Sequence, residues 1–286
     1  MISKNLHNGS LYIHTLIIFA FMFIAFPWFL LNTEELNLLK GNLPPSQENI
    51  FGTDSLGRDL LVRVSKNIYL NIVPIFLIVS VTHLSSIMLF TFLISRKTEI
   101  FFGPFISKTA GFIYSFPLPI LVLLLGRFSG IHSVQTIWSV LTIFFFAKTW
   151  LLLTNAYSFD IKKTYWKSYL LAGGKKSSLV LQYGILGAWV EILICSFCNH
   201  FQQGVIIETI FSYLGFGVVE PVPSFGNMIS AHFEQIFSAK GTVLPIVAVC
   251  LYICLSVPKS VLHFLIRRKP HAVTQWKRSG DLFIKP

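Results

Sequence analysis

Residues 51–59 read Phe51-Gly52-Thr53-Asp54-Ser55-Leu56-Gly57-Arg58-Asp59, a polar, glycine-punctuated cluster between two apolar runs. Two acids, one arginine and two glycines are crowded where a simple connecting loop needs none of them. Glycine takes turns that other residues resist, and an arginine fork holds a neighbouring carboxylate through directed hydrogen bonds. The expected arrangement is a tight local fold in which Arg58 pairs with Asp54 or Asp59. The plain alternative is a solvated loop, so the meaning of the cluster depends on its surroundings.

Those surroundings are apolar. The chain has 286 residues, 53% hydrophobic and only 12% charged, with a mean hydropathy of +0.67. A soluble domain carries about twice that charge. Its 28 phenylalanines fall in continuous runs, which points to lipid as the solvent. Six runs have the length of a membrane span, near residues 13–31, 69–95, 109–126, 136–155, 186–209 and 242–265. Lipid cannot satisfy an open backbone, so each is expected to be a helix. The first run ends in Pro27-Trp28 and lacks a small-x-small cleavage site, so it reads as a retained span rather than a signal peptide. The fold class is therefore all-α and polytopic, with about six transmembrane helices in one domain over 13–265. The short segment 1–12 and the basic tail 266–286 flank it.

The net charge of +11 is placed as a topology signal, not as a nucleic-acid surface. With the N-terminus in the cytoplasm, fifteen of the 23 basic residues lie inside, in Lys4, Arg96, Lys97 and Lys108, the run from Lys162 to Lys176, and the C-terminal tail. Lys40, Arg58, Arg63, Lys66, Arg127 and Lys240 lie outside, and Lys148 and Lys259 fall within spans. Both termini are then cytoplasmic, and the 51–59 cluster is on the outer face. Three non-membrane segments are long enough to carry function: outer 32–68, inner 156–185 and outer 210–241.

The inner segment is basic and aromatic. Residues 162–178 place Tyr165, Tyr169 and Ala172 at helical spacing, and likewise Trp166, Leu170 and Gly173. A short helix here, ended by Gly173 and Gly174, shows large apolar side chains on a basic background. Two readings stand side by side: a helix lying on anionic lipid, and a helix inserted into a partner's groove.

Residues inside spans are fewer. Glu191 and Lys148 are costly in lipid and suggest either a pore-facing or inter-helix pair, or snorkelling to the inner surface. His83 and His200 read as hydrogen-bonded packing residues, with metal ligation as the alternative. Cys195, Cys198, Cys250 and Cys254 all lie in apolar runs and read as packing.

In three blocks the chain resembles the membrane permease subunit of a binding-protein-dependent ABC importer of the dipeptide/oligopeptide/nickel type, and within it the second permease of the pair. The 51–59 block is similar to that family's G-T-D-x-x-G-R-D, followed by Arg63. Ser212-Tyr-Leu-Gly215-Phe-Gly217, then Pro221-x-Pro223-Ser224-Phe225-Gly226-Asn227-Met228, is similar to its S-F-L-G-x-G, proline pair and S-W-G-x-M, with Glu208 at an expected acid. The inner loop compares with its E-A-A-x-x-x-G, with Gly174 at the glycine and Leu186 twelve residues on. This third block departs from the pattern. Ser168, Tyr169 and Leu170 stand at the E-A-A positions, Gly187 at the usual proline, Tyr183-Gly184 at a basic-histidine pair and Gly111 at an acid. The arginines often found after the fourth span, and the acidic, arginine-rich C-terminal end, are missing. The resemblance covers about residues 13–265.

The resemblance implies a type I ABC importer permease fold in a bacterial cytoplasmic membrane. It implies a second homologous permease subunit, cytoplasmic ATP-binding subunits holding ATP and Mg, and an extracytoplasmic substrate-binding protein. It implies no catalysis and no cofactor in this chain. The cargo would be small peptides, or alternatively nickel or a metal–chelator complex. ATPase coupling would run through Trp166, Lys167, Tyr169, Leu170, Gly174 and Leu186. Gly52, Thr53, Asp54, Gly57, Arg58, Asp59, Gly215, Gly217, Pro223, Gly226 and Asn227 would form an outer structural motif. The residues agree on one point: the sequence has no Gly-x-x-x-x-Gly-Lys-Ser/Thr phosphate loop, no His-Glu-x-x-His pair and no Gly-x-Ser-x-Gly elbow. A stand-alone secondary transporter would need inverted-repeat halves, and an intramembrane enzyme a paired catalytic constellation. Neither is visible in the sequence.

Overall fold

The computed structural model describes residues 36–96, 99–129, 134–233 and 246–252. The first expected span, most of the sixth, the N-terminal segment and the basic tail lie outside them. The described residues form an all-α bundle, whose β pairing amounts to an isolated bridge between Thr53 and Asp59.

The first helix, α1, runs Leu60–Ser95 without a break, passing through a π-helical turn at Ile68–Ile72. It begins nine residues before the apolar run that marked the second span. Hydropathy registers only the lipid-facing part, whereas the helix start is decided by a cap. The Asp59 carboxylate accepts from the backbone N–H groups of Leu61 (2.8 Å) and Val62 (3.1 Å), two donors that have no partner inside the helix. At 1.5 Å per residue, 36 residues span about 54 Å, well beyond a hydrocarbon core of about 30 Å. The helix therefore carries polar residues Arg63, Lys66, Asn67 and Asn71 in its first three turns, all buried against protein.

The third expected span is not one helix. Helix α2 (Glu99–Ser115) and α3 (Leu118–Ser129) meet at Phe116-Pro117, and their apolar portions cross at 91°. Proline has no N–H to continue the ladder and its ring excludes the preceding carbonyl, so Pro117 ends one helix and opens the next. The fourth span is α4, Val134–Asp160. After it come a short helix α5 (Thr164–Leu171), then α6, a turn Lys176–Leu179 leading into a π-helical stretch Val180–Ala188, then the long α7 (Val190–Tyr213) and the short α8 (Phe225–His232). Gly187 leaves helical geometry at φ −113°, ψ −106°, which turns the chain from α6 into α7.

Among the described residues, α1, α4 and α7 are each long and apolar enough to cross a membrane, and the bent α2–α3 pair makes a fourth candidate. Between a third and a half of each long helix's most apolar stretch is buried, so the rest presents apolar side chains outward, such as Phe76, Leu77, Leu84, Met88 and Phe92 of α1. That all-round apolarity is the mark of a helix solvated by lipid.

Two apolar cores stack along the bundle. One, at the Asp59 end, joins Ile75 and Val79 of α1, Leu141 and Phe145 of α4, Val205 and Phe211 of α7, and Phe225 and Met228 of α8. The other, at the Ser95 end, joins Phe90, Trp150, Leu153, Trp166, Leu179, Val180 and Trp189. Gly204 lets α7 approach α1 closely, since a Cβ there would lie 2.7 Å from the Ile75 side chain.

Candidate functional site

The 51–59 segment and the segment after α7 meet at one end of the bundle. Asp54 is wholly buried. Its Oδ1 accepts from the N–H groups of Leu56 and Arg58, both at 2.9 Å, and its Oδ2 from Arg58 Nε at 2.7 Å. The same guanidinium reaches across to Glu220, Arg58 Nη1 donating to Oε2 at 2.8 Å. Arg63, one turn into α1, donates from Nη2 to Glu220 Oε1 at 2.6 Å and places its Nε 3.7 Å from Asp54 Oδ2. Two arginines and two carboxylates thus form one network, with Asp54 and both guanidiniums buried and Glu220 part-exposed at its rim, and a buried ion pair is tolerable only when it is partnered. Burial alone would lower the Arg58 pKa. The hydrogen bond and charge of Asp54, then Glu220, outweigh that and hold the guanidinium above its ordinary value. Arg58 pairs with Asp54 and not with Asp59. Asp59 caps α1, and burial raises its carboxyl above the usual range even though it accepts two backbone bonds.

Thr53 ties this cluster to the preceding loop. Its hydroxyl donates to the Lys40 carbonyl (2.5 Å) and accepts from the Leu43 N–H (2.9 Å). Gly52 and Gly57 both have φ +78°, and a Cβ on either would strike backbone, 2.4 Å from the Leu43 oxygen and 1.9 Å from the Asn37 oxygen respectively. At these two positions the left-handed turn and the close approach both require glycine.

The second block closes the other side. Ser224 and Asn227 form a reciprocal capping box on α8, with Ser224 N donating to Asn227 Oδ1 (2.9 Å) and Asn227 N to Ser224 Oγ (3.1 Å). Asn227 Nδ2 also donates to the Val222 carbonyl at 2.8 Å. Gly226 lies against α7, where a Cβ would come 2.1 Å from the Thr209 oxygen, and Gly217 sits beside Ser212. Gly215 turns the chain at φ +80° in open space. The Pro223 carbonyl accepts from Asn71 Nδ2 at 2.9 Å, and Glu208 accepts from Ser212 Oγ at 2.7 Å. Arg63 was expected only as the arginine following the first block, and two further residues that join the blocks, Glu220 and Asn71, were not among the expected motif residues. Glu220 has a signal in hindsight, an acid directly before the proline pair. Asn71 has none, because a polar residue early in an apolar run has no visible partner in sequence.

At the opposite end of the bundle, α5 lies between α4 and α6. Trp166 is buried and faces the bundle, stacked on Trp189 (6.3 Å, 17°) with its edge against Tyr157 (5.9 Å). It anchors α5 and does not face outward with Lys167. Trp189 Nε1 donates to Asp160 Oδ2 at 2.7 Å, and Lys163 Nζ meets Asp160 Oδ1 at 2.5 Å. Tyr165, Lys167, Ser168 and Leu171 form the outward face, with Leu171 89% exposed. Tyr169 and Leu170 are half-buried, and Leu186 is exposed on the neighbouring α6. The helix ends as glycine caps do: Gly173 has φ +84°, and Gly174 N donates to the Tyr169 carbonyl at 3.0 Å. Gly174 is close under the Tyr169 ring, which would lie 2.0 Å from a Cβ placed on the glycine. Asp160, Trp189 and Leu171 were missed from sequence.

Within the spans, Lys148 does not pair with Glu191. It donates to Gln203 Oε1 of α7 at 3.0 Å. His83 and His200 lie together at 4.9 Å between ring centroids, with His200 stacked on Phe145. Among the described residues no group of three or more His, Cys, Asp or Glu side chains is placed to hold a metal ion. Among the described residues Cys195, Cys198 and Cys250 form no disulfide.

No family model matches the chain. It is 24% identical over 222 residues to a peptide permease protein of Brucella suis biovar 1, covering 74% of this chain and 69% of that protein. It is 28% identical over 204 residues to the oligopeptide transport system permease protein OppC of Bacillus subtilis, covering 68% of this chain and 62% of that permease. A peptide permease protein of Brucella ovis is 23% identical over 222 residues. The matched stretch therefore spans about two thirds of the length of these relatives. The chain is thus similar in sequence to peptide and oligopeptide permease proteins.

Proposed function

We propose that this chain is one permease subunit of an ATP-driven importer, forming half of the pathway for small peptides delivered by a substrate-binding protein. The observation that carries this reading is the similarity to named peptide permeases across about two thirds of the chain or more. ATP and Mg belong to cytoplasmic partner subunits, and a second homologous permease completes the pathway. The protein sits in a bacterial cytoplasmic membrane with both termini inside. On this reading the Asp54–Arg58–Arg63–Glu220 network is a rigid outer brace between α1 and the segment after α7. The outward face of α5 receives the ATPase, and its movement passes through Trp166 and Trp189 into α4 and α7. Tyr165, Lys167 and Leu171 then supply apolar and cationic contacts in place of a carboxylate.

Purification in mild detergent tests the reading. Two ATP-binding proteins and a homologous permease should copurify, and ATP should drive peptide uptake in liposomes. A solitary chain that transports without ATP would overturn it, and ATP-driven uptake of nickel but not peptide would replace the cargo. Gly174→Pro removes the N–H that closes α5. It should leave assembly intact while separating ATPase activity from transport; unchanged transport would exclude the loop from coupling.

A further inference from the structure

Lys148 stands one residue past the midpoint of α4 (Val134–Asp160). At 1.5 Å per residue it is about 18 Å from the nearer helix end. A lysine stem reaches roughly 6 Å, and here the ammonium is turned toward α7, onto Gln203, rather than along the helix to a headgroup. A charge at that depth is stable only where it faces protein or a water-filled cavity and finds a partner.

It faces a cleft of about 440 Å³, open to one side, where the break at Phe116-Pro117 leaves a gap between the bent pair α2–α3 and α7. This size falls within the roughly 300–1,000 Å³ of small-ligand sites. Tyr114, Ser115, Phe144 and Gln203 line it beside Lys148. The ammonium donates to Gln203 Oε1 at 3.0 Å and lies 5.9 Å from the centroid of the Tyr114 ring. Both partners are neutral. Among the described residues no carboxylate pairs with Lys148. The apolar runs 13–31 and 242–265 contain no Asp or Glu. On α7, Glu191 is about 18 Å along the axis from Gln203, and Glu208 is engaged by Ser212. Among the described residues, α4 thus holds a cation that has a hydrogen bond to Gln203 and a ring face beside it but no counter-charge.

We infer that Lys148, steadied by Gln203, binds a carboxylate of the cargo as it crosses the membrane, with the peptide's C-terminal carboxylate the group received. The apolar walls, including Phe144 and the Tyr114 ring, suit the side chains that accompany it. The inference rests on the importer reading. The same chemistry would be offered by the carboxylates of a metal chelator. A carboxylate from the second permease subunit is the competing partner, and it would make Lys148 an assembly contact.

The test is equilibrium binding to the purified membrane complex without its binding protein, so that delivery does not enter. The probes are one fluorescent tripeptide with a free C-terminus, the same peptide as its amide, and nickel citrate. Wild type should prefer the free acid over the amide by about tenfold or more, the scale of a lost charge-assisted hydrogen bond. Lys148→Met should erase that preference by weakening the acid alone, and Lys148→Arg should retain it. Lys148-dependent binding of nickel citrate without peptide binding would keep the carboxylate site, assign it to a chelator and remove the peptide reading. Acid and amide binding equally well to wild type would overturn the site while leaving the importer reading intact, even where Lys148→Met fails to assemble. Equal weakening of both peptides by Lys148→Met would also overturn it, in favour of an assembly contact. Failure to bind any probe would overturn the site and leave the importer reading to the uptake assay.

Discussion

The two ends of the bundle are held by different physics. At the Asp59 end, four charged side chains and two left-handed glycines lock backbone to backbone across 162 residues of sequence, from Arg58 to Glu220. At the other end, α5 is held by stacked indoles and a single carboxylate, Asp160, that fixes one indole N–H. Hydrogen-bonded ion pairs are directional and fail abruptly when a partner is lost. Aromatic contacts are broad and tolerate small sliding. On the proposed importer reading, the difference suits an end that keeps its shape and an end that moves with a partner.

The sharpest way to break this comparison is Asp54→Ala. It strands the Arg58 guanidinium and leaves the N–H groups of Leu56 and Arg58 without their acceptor, and removing one partner of a buried ion pair costs about 3–5 kcal/mol. A large loss of thermal stability in detergent is expected, with little folded protein recovered. Trp166→Ala should come next, at about 3 kcal/mol for an aromatic deleted from a core, with Trp166→Phe recovering most of it. Because α5 is peripheral, the loss should appear as faster proteolysis within 162–176 before global unfolding. A Trp166→Ala cost above that of Asp54→Ala would reverse the comparison. Among the glycines, Gly57→Ala should cost about 1–3 kcal/mol, since the φ is unfavourable and Asn37 backbone blocks the space. Gly173→Ala, equally left-handed but in open space, should cost only about 1 kcal/mol. Equal costs would mean that steric blocking does not matter at the 51–59 turn.

Some of this was legible in the residues. Apolar runs long enough to cross lipid announce helices, because a backbone in hydrocarbon has no other solution. The glycine-rich 51–59 cluster announced a tight turn with an Asp–Arg pair. Gly173 and Gly174 announced the end of α5, because glycine carries no steric penalty at a left-handed cap. Other features were hidden for identifiable reasons. The start of α1 at Leu60 depends on Asp59 accepting two N–H groups, which hydropathy does not register. A run continuous in hydropathy over 109–126 concealed a right-angled break, because Pro117 can end a helix, kink it or open the next. Trp166 shares its helix with basic residues, and periodicity alone did not say which side faces the bundle.

By itself, the sequence determined that this is a membrane-embedded helical protein and which local motifs it carries, because solvent choice and turn chemistry are properties of short stretches. Tertiary structure alone decided that Glu220 completes the charge network of Arg58 and Arg63, that Trp166 faces Trp189, and that Lys148 meets Gln203 beside a cleft. Each of those depends on side chains brought together from distant parts of the chain, and the energy that selects them, desolvation balanced by a partner, exists only once the partner has arrived.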